Sequence, residues 1–73
     1  MKDEELFDRI ALNVKVERTK KRLTQAALAE LIDVHEKYIG KIENGKQNVT
    51  IKTLNKLANA LNIDICKLFE NQS

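Results

Sequence analysis

Residues 25–44, Gln25-AALAELIDVHEKYIGKIE-Asn44, decide the fold. Leu28, Ala29, Leu31 and Ile32 cluster on one face of a helix, while Ile39 and Ile42 recur at a spacing that stacks side chains on neighbouring turns. Two short amphipathic helices therefore share a core. Only Asp33, Val34 and His35 separate them, too little chain for a loop, so the helices must meet at a steep angle. The outer face of the second helix is then exposed.

Outward from this stretch, the sequence predicts a first helix from about Glu5 to Lys21, with residues 1–4 frayed. Leu6, Ile10 and Val14 recur every fourth residue beside Phe7 and Ala11, giving it a core-facing stripe. Thr24 is placed to cap a second helix that opens at Gln25 and ends near Ile32. The third runs from about Glu36 to Asn44, with His35 at its N-cap and Asn44-Gly45 supplying residues that tolerate positive φ at its end. Lys46-Gln47-Asn48 is a polar connector. A fourth helix follows its cap Thr50, with Ile51, Leu54, Leu57, Ala58 and Leu61 on one face. Asn62 ends it, Asp64 caps a last short helix carrying Ile65, Leu68 and Phe69, and residues 71–73 trail off. No alternating β-branched run and no proline competes with an all-α reading.

With 73 residues the chain has room for one small domain, marginal in the apolar surface it can bury. A single cysteine, Cys66, excludes an intramolecular disulfide framework and, with one histidine, offers no zinc site, so no cofactor is expected and a reducing cytoplasm fits best. The acidic N-terminus lacks an apolar run, and nothing approaches the ~20 apolar residues of a membrane span. No repeat, linker or low-complexity tract marks a separate sensing or catalytic domain. The net charge of +2 is small, but its distribution is uneven. Lys15, Arg18, Lys20, Lys21 and Arg22 crowd one segment, while Asp3, Glu4, Glu5 and Asp8 open the chain. A basic run of this kind is also what a solvated helix C-terminus looks like.

Gln25, Ala29, Val34, Ile39 and Ile42, followed by Glu43-Asn44-Gly45-Lys46, stand at the spacing of the phage-repressor and Cro helix-turn-helix proteins, often named the Xre family. The resemblance runs over roughly residues 6–70 and implies a compact five-helix, lambda-repressor-like domain with its helix-turn-helix at 25–44. Two departures stand out. Asp33 occupies the turn position where the family commonly has glycine. Val16-Glu17-Arg18 departs from the usual order, in which the apolar residue stands immediately before the arginine, predicting that the end of the first helix is rotated or partly exposed.

The resemblance implies a sequence-specific regulator, repressor or activator, of double-stranded DNA, with helix 36–44 in the major groove. Once Ile39 and Ile42 are turned inward, Glu36, Lys37 and Lys41 are left to reach base edges. Glu36 would accept from a cytosine amine, and the lysines would donate to guanine. The alternative for each is an ordinary solvated helix start. Thr24, Gln25, Asn44, Lys46, Gln47, Asn48 and Thr50 fall at or near helix ends, where hydroxyls, amides and amines meet phosphates. The family implies the same for the Tyr38 hydroxyl, which is otherwise a half-buried amphipathic residue. It also implies a structural ion pair between Arg18 and Glu43.

One recognition helix reads few base pairs, so a homodimer is expected. Ile63, Ile65, Leu68 and Phe69 are the candidate interface, the alternative being internal core. Such a dimer would respond to its own concentration, as an autoregulatory switch does. The short form and the Tyr-Ile, Ile-Glu-Asn-Gly sequence resemble the controller proteins of restriction–modification systems, and Glu30, Asp33 and Glu36 form an acidic strip that could touch RNA polymerase. His35 reads as a cap rather than a base or ligand, Cys66 as a small core residue, and no residue set supports an enzyme. Two other readings share the fold: an antitoxin-like module that sequesters a protein, and an interaction domain that has lost DNA binding.

Overall fold

The computed structural model describes residues 1–71, and in it the chain forms α1 (Asp3–Lys20), α2 (Gln25–Leu31), α3 (Glu36–Glu43), α4 (Ile51–Leu61) and a closing 3-10 turn (Ile65–Phe69), with no strand among the described residues. The expected fifth helix is thus a single tight turn. α1 starts earlier than the expected Glu5, because Asp3, Glu4 and Glu5 place negative charge on the positive end of its dipole, and Arg18 and Lys20 complete the match at the other end. Asn71 has no regular structure, and residues 72 and 73, expected to trail off, lie outside the described residues.

Each later element begins at a side-chain cap. Thr24 Oγ1 accepts from the Ala27 amide at 3.0 Å, His35 Nδ1 from Lys37 at 3.1 Å, Thr50 Oγ1 from Thr53 at 3.2 Å, and Asp64 Oδ1 from Cys66 at 2.9 Å. All four helices end alike, through a left-handed residue: Arg22 (φ 58°), Asp33 (57°), Gly45 (70°) and Asn62 (56°). At the helix-turn-helix corner the Asp33 amide donates to Glu30 O and Val34 to Ala29 O, the paired bonds of a Schellman ending. Asp33 therefore holds the left-handed turn itself. Its side chain costs some strain that a glycine would avoid.

These corners fold α1, α3, α4 and the 3-10 turn around Val14, Leu28, Ile39, Ile42, Leu54, Leu57, Leu61 and Leu68, all buried. Two large apolar residues expected in the core are outside it. Leu31 is 59% exposed and Ile51 70%, each at an end of its helix's apolar stripe. The end of α1 is not rotated. Its register holds, and the cost is that Glu17 turns inward, 4% exposed, while Val16 stays half-buried. Glu17 is relieved by Lys20 Nζ at 3.2 Å, which reaches in from the surface.

Candidate nucleic-acid interface

α3 is held from behind in two ways. Ile39 and Ile42, both buried, anchor one side in the core. At its C-terminal end, Glu43 collects three hydrogen bonds from two segments. Arg18 Nε donates to Glu43 Oε2 at 2.7 Å, Arg18 Nη2 to Oε1 at 3.0 Å, and Gln25 Nε2 also to Oε1 at 3.0 Å. Arg18 Nη1 donates to the Leu23 carbonyl at 2.7 Å. The ends of α1 and α3 and the start of α2 thus meet on one carboxylate, and Arg18 ties the linker between α1 and α2 to the same corner. The carboxylate side chain is 3% exposed and the arginine 14%. Hydrogen bonding to Glu43 raises the Arg18 pKa above its ordinary value, with burial opposing and the charge of Glu43 adding to it. The bidentate geometry fixes the direction of the helix as well as its place.

What remains of α3 faces outward. Glu36, Lys37, Lys41 and Asn44 are exposed and, together with His35, Gly40 and Gln25, line one open cleft. The structure therefore brings together all three base-contact candidates with Asn44 and Gln25 from the phosphate set. Tyr38 is half-buried and packs against the core from α3's flank. Thr24, Lys46, Asn48 and Thr50 are exposed and Gln47 half-buried, in the corners on either side of α2 and α3. Thr24 and Thr50 spend their hydroxyl oxygens as caps, and the Thr50 hydroxyl donates to Thr53 Oγ1 at 3.1 Å. Gln25 has a role the sequence did not disclose: its amide nitrogen belongs to the Glu43 network.

The interface candidates divide. Ile63, Ile65 and Phe69 are half-buried against the core edge, whereas Leu68 is fully buried within the monomer. A 3-10 turn eclipses residues three apart, so placing Ile65 and Leu68 over the core leaves Leu68 no outer surface. Asn13, to which the sequence reading assigns no role, is buried at 0% exposure and donates from Nδ2 to the carbonyls of Leu68 and Glu70, both at 2.8 Å. Its signal was position: Ile10, Asn13, Val14 and Glu17 lie on one stripe of α1.

Among the described residues no group of His, Cys, Asp and Glu could hold a metal, and no helix is long and apolar enough to cross a membrane. Cys66 is exposed rather than in the core. A profile described as helix-turn-helix matches residues 14–68. The chain belongs to the helix-turn-helix family of DNA-binding transcriptional regulators. It is 43% identical over 63 residues to the control protein C.SmaI of Serratia marcescens, covering 86% of this chain and 75% of that one. To the control protein C.MunI of Mycoplasma sp it is 37% identical over 57 residues, 78% of this chain and 77% of that one. The crystal structure of the restriction-modification controller protein C.AhdI from Aeromonas hydrophila superposes with a TM-score of 0.83 at 35% identity, covering 86% of this chain and 96% of that one.

Proposed function

We propose that this helix-turn-helix regulator is a restriction–modification controller: a single domain that binds operator half-sites as a homodimer, with α3 in the major groove. The observation that carries the reading is α3 itself, braced by Ile39, Ile42 and the Arg18–Glu43–Gln25 network and presenting only Glu36, Lys37, Lys41 and Asn44 outward. Glu36, Lys37 and Lys41 read base edges, and a good bidentate contact discriminates by ~1–3 kcal/mol. Lysine, a point donor, fixes its partner's orientation less strictly than arginine does. Asn44, Lys46, Asn48 and Thr24 meet phosphates on either side, with Gln25, Tyr38, Gln47 and Thr50 at the margins of that contact. Ile63, Ile65 and Phe69 form the self-association face.

Glu30 and Asp33 are both exposed, each beside Leu31, where they offer RNA polymerase an acidic contact. Binding of the purified protein to random duplexes, followed by selection and sequencing at two salt concentrations, tests the proposal. Enrichment of a two-fold symmetric site, with half-sites about 34 Å apart, is the expected result. Weak binding that enriches nothing and vanishes at higher salt leaves only electrostatic attraction and points to a protein partner instead.

A further inference from the structure

The C-terminal turn is fastened by α1 through its backbone. Asn13 spends both protons of its amide nitrogen on the carbonyls of Leu68 and Glu70, at 2.8 Å each. One helical turn earlier, Arg9 Nη1 reaches the intervening Phe69 carbonyl at 3.5 Å. Three consecutive carbonyls at the end of the 3-10 turn, where intrahelical partners run out, are thus taken by two side chains four residues apart on α1. Asn13 has no exposed surface, and its bond to the Leu68 carbonyl is buried.

The consequence concerns which side chains the turn shows to solvent. Fixing the carbonyls of residues 68 and 70 fixes the rotation of the chain between them, with Leu68 fully inside and Phe69 half-buried at the core edge, as Ile63 and Ile65 are. From this geometry we infer that Asn13 is the positioning residue for self-association: it sets the register in which Ile63, Ile65 and Phe69 form one surface for a second copy. Arg9 is its lesser partner. The inference rests on the proposed dimer through that face. It assigns control of the face to a residue in another helix, one that touches neither DNA nor the second copy.

The test compares wild type, Asn13→Ala and Arg9→Ala by sedimentation over a range of protein concentrations. Circular dichroism confirms folding, and binding is measured to a single half-site and to a full two-fold operator chosen by selection. Asn13→Ala should weaken self-association at least ten-fold and full-operator binding with it, while the folded monomer keeps its half-site affinity. A merely structural role would lower both binding modes in proportion to the folded fraction. If Asn13→Ala does not fold, Arg9→Ala decides: weaker self-association with unchanged half-site binding supports the latch, and unchanged self-association overturns it. Folded Asn13→Ala that associates like wild type overturns it directly. A wild type that stays monomeric both free and on the operator removes the dimer reading itself, a result separate from either variant's.

Discussion

Arg18→Ala is the perturbation whose cost can be worked most fully from the structure. It deletes three hydrogen bonds, two to Glu43 and one to the Leu23 carbonyl. Glu43, 3% exposed, is left with the hydrogen bond from the Gln25 amide. Breaking a buried pair from one side costs about 3–5 kcal/mol, chiefly because the surviving charge stays out of water. Arg18 itself is 14% exposed, which admits some solvent and favours the lower end, about 3 kcal/mol. A domain of this size holds roughly 4–11 kcal/mol in all, at ~0.05–0.15 kcal/mol per residue. The variant should therefore lose much of its stability, with a urea midpoint lowered in proportion and an unchanged slope.

Equilibrium urea denaturation followed by circular dichroism measures this. Arg18→Met with Glu43→Leu, which removes both charges and fills the space with apolar groups, should recover most of the loss, since the penalty lies in the orphaned carboxylate. Lys37→Ala, exposed at the start of α3, should leave the midpoint within ~0.5 kcal/mol of wild type while weakening DNA binding. An Arg18→Ala protein as stable as wild type that has lost only DNA affinity would refute the assignment, and Arg18 would belong with the phosphate contacts.

Four other perturbations follow from particular contacts. Gly45→Ala forces an L side chain to φ +70° and drives its Cβ into the Asp8 carboxylate, so it should cost about 1–2 kcal/mol in the same denaturation assay, part of it returned by Asp8→Ala in the same chain. Gly40→Ala should stabilise by about 1 kcal/mol, because its Cβ would meet only Gln25 Oε1, at an ordinary 3.7 Å, inside a helix where glycine is the weaker former. Glu17→Leu should raise stability by about 1 kcal/mol, replacing a buried carboxylate whose cation Lys20 is 61% exposed and screened, and a drop would show that the carboxylate has a further partner. Asp64 holds the Cys66 thiol above its ordinary pKa, first through its hydrogen bond and then through its charge. Asp64→Asn should therefore shift the pH profile of Cys66 alkylation to lower pH, and an unmoved profile would contradict that cause.

The elements were legible because caps and apolar spacing agree at nearly every boundary. Thr24, His35, Thr50 and Asp64 mark starts, and Asp33, Gly45 and Asn62 mark ends. The left-handed Arg22 was not, since arginine carries no turn signal and is held there by the bonds of its neighbours, Arg22 N to Thr19 O and Leu23 N to Arg18 O. Periodicity also overstated burial at Leu31 and Ile51, because a stripe of apolar residues does not say where the opposing layer ends. Asn13 and Glu17 were missed for the converse reason. A polar residue on a buried stripe is read as a surface residue slightly out of place, and only the fold shows the carbonyls or the amine that come to meet it. In the candidate site, residue type and helix face identify the outward α3 side chains, and Gln25 is named from its place at a helix start, but its bond to Glu43, 18 residues distant in sequence, is visible only in the fold.

The polar residues of α1 tie both proposed binding faces of this small fold to one element. Arg18 fastens the C-terminal end of α3, and Asn13 fastens the C-terminal turn, so both faces are tied to one continuous helix of 18 residues. A helix of that length behaves as a rod about 27 Å long at 1.5 Å per residue, and neither anchor can drift without moving the other. In a two-fold dimer that rigidity becomes a measure of distance. The proposed self-association face would set the axis, α1 would set how far α3 stands from it, and the separation of the two recognition helices would be the separation of half-sites such a dimer reads. Buried polar anchors are costly in so small a core, and apolar replacements would hold the helices together as well. Directional bonds do what apolar packing does less strictly: they fix rotation, which decides whether Lys37 and Lys41 point toward a groove and whether Phe69 points toward a second copy.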